Sequence, residues 1–197
     1  MSLVFTTTSC DMDLTPDSAV PEHEALRTIH DCDACVAGIY SPFKKRALYS
    51  GYMTLLPDIQ ADMAYAALNT NNGFYTNIYQ WDIKSTTDEI IAVYNGLYTI
   101  VARCNFFLDY KDQVEVNLKT TADKDNFKKR LGEVYFARAM AYAELIRLFC
   151  EPMTSVNADT ENMGICLPTT YRDDVPKVKR STLRESYNQI ISDLKSA

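Results

Sequence analysis

Hydrophobic residues recur at spacings of three and four along most of this chain, which is the pattern of amphipathic helices. The alternation of apolar and polar residues that marks a half-buried strand persists nowhere, although short extended pieces are predicted near Tyr52–Leu56 and Ile165–Leu167. The sequence therefore predicts an all-α protein. The predicted helices are about Pro21 to Tyr40, roughly Asp88 to Leu108, Leu131 to Pro152, and a last helix that reaches Ala197.

The segment Leu131–Pro152 has the most informative pattern. Its large side chains line one helix face, at Leu131, Tyr135, Arg138, Tyr142, Leu145 and Phe149. Alanines cover much of the remaining surface, which allows neighbouring helices to approach closely, as in helical repeats of the tetratricopeptide type. Any buried helix of a helical protein would show this pattern, so the pattern alone does not identify a family.

A polar loop of about Lys111 to Asp123 separates this segment from the helix that precedes it. Because the loop is short, the two helices are predicted to pack side by side and antiparallel. The preceding helix is predicted to supply apolar contacts from Ile91, Tyr94, Tyr98, Val101 and Phe106.

The last helix has a clear predicted start. Thr182 and Glu185 have the spacing of a capping box, although Ser181 could equally be the cap. The apolar positions that follow are Leu183, Tyr187, Ile190, Ile191 and Leu194. Nothing follows Ala197 that could cover this face, so we expect either a truncated chain or a covering partner.

Composition narrows the classes of partner. The 197 residues are 47% hydrophobic and 23% charged, with a net charge of −6 and a pI near 4.9. This balance argues against nucleic acid or an anionic membrane surface as the main partner, because phosphate binding needs clustered Lys and Arg. The basic clusters Lys44–Arg46 and Lys128–Arg130 are short and are interpreted as solvated helix ends rather than phosphate sites. No apolar run approaches the ~20 residues of a membrane span.

The sequence gives little support for a catalytic site or a metal-binding site. The sequence contains no His-Glu-x-x-His, no Gly-x-Ser-x-Gly and no glycine-rich phosphate loop, and it has only two histidines. Cys32 and Cys35 have metal-ligand spacing, but no second ligand pair follows, so we interpret them as ordinary helix positions. We predict no enzyme activity, no catalytic residue, no metal site and no cofactor.

A better candidate for binding is the segment Asn69–Asp82, which interleaves aromatic residues with amides. Sugars present apolar faces that stack on aromatic rings, and hydroxyls that pair with amides or carboxylates. The alternative is a turn at Asn72-Gly73 followed by aromatics that only pack beneath the helices. The predicted ligand-binding residues are Trp81, Tyr79, Tyr75, Asn72 and Asn77, with Trp81 the strongest candidate.

Several motifs together resemble the SusD/RagB family of outer-membrane nutrient-binding lipoproteins. In Leu131–Pro152 the matching residues are Glu133, Arg138-Ala139, Tyr142, Leu145, Leu148-Phe149 and Pro152. An earlier match consists of Tyr98, Ile100 and Asn105, and two later ones consist of Gly164 to Pro168 and of Asp193, Leu194 and Ala197. One departure is Cys150-Glu151, where the family usually has a glycine, so the helix end is expected to be capped differently.

The resemblance implies an all-α, tetratricopeptide-like helical-repeat fold of the SusD type, with short irregular or extended segments. It implies a cell-surface protein of the outer membrane, active in polysaccharide utilisation and nutrient uptake, that binds an oligosaccharide and delivers it to a SusC-like TonB-dependent transporter. The alternative is a helical-repeat scaffold that binds only protein. Residues 11–197 would be the N-terminal SusD-like domain, truncated at its C-terminus.

The N-terminal residues 1–10 look like the remnant of a bacterial lipoprotein signal. Small residues precede Cys10, which would be the lipidated cysteine, and the acidic Asp11 and Asp13 resemble the surface-export signal of Bacteroidetes lipoproteins. The stretch lacks a charged opening and is shorter than a secretory apolar region, so it could not direct export by itself. Lipidation at Cys10, favoured by the family resemblance, would be the only contact with the membrane; the alternative is a chance cysteine in a disordered tail.

Overall fold

The computed structural model describes residues 21–66, 74–171 and 179–197. Within these ranges the chain forms only helices, turns and one isolated antiparallel bridge, so the predicted all-α class is confirmed. Short 3₁₀ turns at Glu22–Glu24 and Pro42–Lys44 flank the first helix. The α-helices are α1 (Ile29–Tyr40), α2 (Tyr52–Gln60), α3 (Thr76–Tyr79), α4 (Asp88–Glu115), α5 (Thr121–Phe149) and α6 (Leu183–Ser196).

Helix α1 begins later than predicted. The Thr28 hydroxyl accepts a hydrogen bond from the Asp31 backbone N–H at 3.2 Å, and the Asp31 carboxylate accepts one from the Thr28 N–H at 2.8 Å. This capping box satisfies the free N–H groups of the first turn, so the helix starts after Thr28 rather than at Pro21. It ends at Tyr40, before Pro42, as predicted.

The extended piece predicted near Tyr52–Leu56 is wrong, because these residues open α2. Met53, Leu56 and Ile59 are spaced three apart and are all buried, so one helix face meets the core. The second predicted extended piece contains the bridge between Cys166 and Arg180.

Helices α4 and α5 form the predicted antiparallel pair, but both are longer than expected. The loop between them shrinks to residues 116–120, because Thr120 and Asp123 form another capping box. Side-chain contacts run in opposite order along the pair: Tyr94 meets Phe149 near one end, and Phe107 meets Phe127 near the other.

Helix α4 forms the centre of the fold. Within the described residues it alone is long and apolar enough, by length and composition only, to be a candidate membrane span, and a soluble core helix satisfies the same criteria. Its residues Leu97, Ile100 and Val101 are fully buried, and the helix contacts both α1 and α5. We therefore assign α4 to the protein core.

Helix α6 begins at the predicted Thr182–Glu185 capping box, so Thr182 and not Ser181 is the cap. Its predicted apolar face is only partly covered. Leu183 and Ile190 pack into the core against α5, whereas Ile191 and Leu194 remain about half exposed.

A buried ion pair joins α5 to α6. The Arg138 guanidinium donates to both carboxylate oxygens of Asp193, at 2.8 and 2.7 Å. It also donates to the side-chain oxygen of Asn105 on α4, at 2.8 Å. Because all three residues are at most 5% exposed, the three helices are held by charge-assisted hydrogen bonds inside the core.

The segment 164–171, which we call the strap, lies across this network. Asn105 donates through its amide to the Pro168 carbonyl at 2.7 Å, and the Tyr142 hydroxyl donates to the same carbonyl at 2.6 Å. The Tyr98 hydroxyl donates to the Cys166 carbonyl at 3.0 Å. These bonds pair partly buried backbone oxygens of the strap with side chains of α4 and α5.

Candidate functional site

Trp81 occupies an unusual backbone position at the end of α3. The Asp82 N–H donates to the Asn77 carbonyl at 2.9 Å, and the Trp81 N–H donates to the Ile78 carbonyl at 3.1 Å. These two bonds form a Schellman motif, in which the residue at the position of Trp81 adopts the left-handed conformation and is usually glycine. Trp81 has φ 57°, and its side chain is 64% exposed. A bulky residue held in this conformation and exposed to solvent indicates a functional role, because such backbone strain clusters at binding sites.

Helix α3 fixes the other predicted binding residues. Ile78, only 1% exposed, anchors the short helix to the core. Tyr75 precedes the helix with φ 59°, and both Tyr75 and Tyr79 are half-buried and pack against the core. Asn77 is exposed on the same turn as Trp81. Asn72 lies outside the described residues.

The sequence did not predict a cluster of rings around Arg46. The guanidinium carbon lies 5.4 Å from the ring centre of Tyr52 and 5.9 Å from that of Phe74. The Tyr75 ring meets the Tyr52 ring edge-on at 6.1 Å. A hydrogen bond to Tyr75 raises the pKa of Arg46, so this solvent-exposed cation is stabilised by its aromatic neighbours.

These contacts divide the predicted site residues into two groups. Tyr75 is held by neighbouring aromatic rings and Tyr79 by the core, so both position α3. Trp81 and Asn77 are both exposed and lie four residues apart, on α3 and the turn that ends it, so both are accessible to a ligand. An exposed indole face next to a carboxamide can stack on the apolar face of a sugar and pair with its hydroxyls.

Large apolar side chains are also exposed outside α3. The loop after α2 exposes Met63 at 81% and Tyr65 at 80%, and Phe74 is 48% exposed. These three side chains are candidates for an interaction surface, since exposed apolar side chains mark such a surface where they lie together. The periodicity that identifies helices gives no signal for this surface, because its residues lie in loops and turns.

The residues of the most informative sequence motifs lie inside the protein. Arg138, Tyr142, Asn105 and Asp193 are all buried, and their polar atoms are bonded to one another or to the strap. They are therefore unavailable to a ligand. These motifs describe the packing of α4, α5 and α6, and the candidate site lies elsewhere.

Cys32 and Cys35 lie on α1, as predicted, and neither is in a disulfide. Burial raises the pKa of Cys32 to about 12, so its thiol is neutral and a poor metal ligand. In the part of the chain that the structure describes, no group of three His, Cys, Asp or Glu side chains could hold a metal ion. Cys10 lies outside the described residues.

Comparison with known proteins gives one family and two related structures. A family model described as SusD-like, starch-binding and associating with the outer membrane, matches residues 12–197. A SusD superfamily protein from Bacteroides thetaiotaomicron aligns with TM-score 0.68 and 21% identity, over 85% of this chain and 36% of that one. A candidate sugar binding protein from Bacteroides vulgatus aligns with TM-score 0.69 and 22% identity, over 87% of this chain and 37% of that one.

The TM-scores establish a shared fold. The chain spans little more than a third of the length of either structure. No protein with a curated function matches the sequence.

Proposed function

The chain belongs to the SusD-like family, and from this premise we propose that it binds a glycan at the outer membrane and delivers it to a SusC-like TonB-dependent transporter. The observation that carries the proposal is the family match over residues 12–197, to a model described as starch-binding and associating with the outer membrane. The resemblance inferred from the sequence motifs is thereby confirmed, and the ligand, the transporter and the anchor are what we propose.

Binding of the glycan would centre on Trp81. Its indole is the most exposed aromatic group on α3 and the turn that follows it, and the Schellman motif holds the backbone beneath it. Asn77 would pair with sugar hydroxyls on the same turn. Tyr75 and Tyr79 would act by positioning α3, and Asn72 remains a predicted contact. Binding, with no chemical step, would be the mechanism.

Affinity gels containing starch, xylan, mannan or dextran test the proposal directly. Retarded migration of the wild-type protein in at least one gel is the expected result. The protein has a single tryptophan, so a change in its fluorescence on addition of the retained glycan would report contact at Trp81.

The best variant is Trp81→Gly, because glycine is the residue that the left-handed position favours and the fold should be retained. We expect at least about a tenfold loss of glycan affinity, as for an aromatic anchor residue. Phe136→Ala is the matched control, since it removes an aromatic ring that is 47% exposed on α5, outside the candidate site. Equal affinity of wild type and Trp81→Gly would exclude Trp81 as the site.

A wild-type protein that no glycan retards would contradict glycan binding and favour a helical-repeat scaffold that binds only protein. The half-exposed Ile191 and Leu194 on α6 would then be the first surface to test.

We also propose that the protein is anchored at the cell surface by a lipid on Cys10. A chain expressed behind a complete lipoprotein signal should incorporate labelled palmitate, and a Cys10→Ser variant should not. Surface exposure is tested by protease treatment of intact cells. Labelling that survives the substitution would contradict the assignment of Cys10.

A further inference from the structure

A second concave surface lies where α4 begins and α5 ends. An open cavity of about 380 Å³ is lined there by Ser85, Ile90, Ile91, Tyr94, Asn95 and Phe149. Ile91 is 40% and Tyr94 38% exposed, so both also present part of their apolar surface to solvent. They are exposed because α5 ends at Phe149, which packs against Tyr94. No described helix beyond Phe149 covers this end of α4.

The Tyr94 ring at this surface is held rigidly. It meets the Phe149 ring edge-on at 5.2 Å and the Tyr98 ring at 4.7 Å. The hydroxyl of Tyr94 interacts with that of Tyr98, which in turn donates to the Cys166 carbonyl at 3.0 Å. A ring fixed on two sides loses little conformational entropy when a ligand stacks on it.

Two polar groups at the cavity have hydrogen-bonding capacity to spare. Among the described residues the Asn95 carboxamide makes no hydrogen bond, and neither does the Ser85 hydroxyl. Ser85 is presented by a tight turn, in which the Thr87 N–H donates to the Lys84 carbonyl at 3.0 Å and the Lys84 N–H donates to the Thr87 hydroxyl at 3.0 Å. A fixed aromatic ring, a free amide and a free hydroxyl therefore converge on one cavity.

The six lining residues carry no charge, which disfavours a phosphate, a carboxylate or a cation as the ligand. A neutral ligand with one apolar face and several hydroxyls satisfies both the ring and the polar groups. The cavity volume also falls within the range of about 300–1,000 Å³ that is typical of small-molecule sites.

We propose that this cavity is a second glycan subsite, in which a pyranose ring stacks on Tyr94 and its hydroxyls pair with Asn95 and Ser85. The proposal rests on the proposed function of the protein. Ser85 follows Trp81 by four residues, so their Cα atoms are at most about 14 Å apart, since extended chain spans about 3.5 Å per residue. One oligosaccharide of a few sugar units therefore reaches both sites.

The test is the dependence of affinity on oligosaccharide length, measured by calorimetry with fragments of the polysaccharide that retains the wild-type protein. For starch these are maltose to maltoheptaose. Wild-type affinity should rise with length until both sites are filled. Asn95→Ala and Tyr94→Leu should each lower affinity for the longest fragment about tenfold and leave that for the shortest unchanged, whereas Trp81→Gly should lower both.

Matched controls separate a subsite from a structural effect. Asn188→Ala removes an exposed carboxamide from α6, away from the cavity, and should leave every affinity unchanged. Tyr94→Phe keeps the stacking ring and should retain most of the affinity that Tyr94→Leu loses. Circular dichroism checks that each variant is folded.

The outcomes distinguish this inference from the proposed function. If wild type binds and Trp81→Gly does not, but Asn95→Ala and Tyr94→Leu bind every fragment like wild type, the second subsite is refuted and glycan binding stands. The second subsite is also refuted, and glycan binding stands, if wild-type affinity does not depend on the length of the oligosaccharide. If no glycan is bound at all, both proposals fail.

Discussion

Replacing Asp193 by alanine should destabilise the protein more than any change at its surface. Asp193 accepts two hydrogen bonds from Arg138 and a third from the Gln189 side chain at 2.9 Å. Arg138 is only 5% exposed, so the variant would leave its guanidinium buried without a counter-charge. Arginine does not lose its proton in proteins, so it cannot escape the cost by becoming neutral.

The expected magnitude follows from that burial. Breaking a buried ion pair by removing one partner costs about 3–5 kcal/mol, a large part of the 5–15 kcal/mol that stabilises a typical native domain. With a urea dependence of about 2 kcal/mol per molar, the midpoint of unfolding should fall by about 1.5–2.5 M. Far-ultraviolet circular dichroism measures this midpoint directly, because helices are the only repeated secondary structure in the described residues.

A matched control exists on the surface. Arg184 and Asp159 form the same bidentate geometry, at 2.6 and 2.9 Å, but their side chains are 55% and 67% exposed. Asp159→Ala should leave the midpoint unchanged within error, because water screens the pair. Equal midpoints for Asp159→Ala and Asp193→Ala would refute the reasoning. The double variant Arg138→Leu, Asp193→Leu removes both charges and should be more stable than Asp193→Ala.

Three further predictions use local features. Gly38→Ala should stabilise α1 by up to about 1 kcal/mol, because a Cβ there meets no atom within 4 Å. Gly164→Ala should destabilise the protein by about 1–3 kcal/mol, because its Cβ would lie 2.2 Å from a backbone carbonyl oxygen. The urea midpoints of the two variants test both predictions. Burial raises the pKa of Cys32 and of Cys104 to about 12, so neither thiol should be alkylated in the native protein at neutral pH, as mass spectrometry will show. Burial, followed by a hydrogen bond to a carboxylate on α5, raises the pKa of Tyr49 from 10.0 to about 12. The stability that this shift provides is present below pH 10 and is lost as the pH rises through about 12. Over that pH range the urea midpoint of Tyr49→Phe should therefore fall less than that of the wild type.

Local sequence signals predicted α1, α4, α5 and α6, and the start of α6, but they missed α2 and α3. The capping box at Thr182 involves residues three apart, so its geometry is contained in a few consecutive side chains. The same argument would have placed the starts of α1 and α5, where Thr28 with Asp31 and Thr120 with Asp123 form further capping boxes that the apolar periodicity obscured.

The candidate site was predicted in part. The mixture of aromatic and amide residues singled out the segment around Trp81 as a candidate for sugar contact, and that assignment stays a prediction. The order of residues could not indicate that Tyr75 and Tyr79 are tied to the scaffold, nor that Arg46 lies beside Phe74. These contacts join residues that are far apart in the chain or depend on which side of a short helix faces the core.

The sequence by itself determined the all-α class, the family and the pairing of α4 with α5, because periodicity, capping and motif spacing are properties of neighbouring residues. Only the tertiary structure decided what the motif residues do. Arg138, Asp193 and Asn105 lie on three different helices, and their burial in one network depends on how those helices pack. The same packing leaves Tyr94 exposed at the end of α4 and Trp81 exposed beyond α3, because a helix face that looks apolar in sequence is buried only where another element covers it.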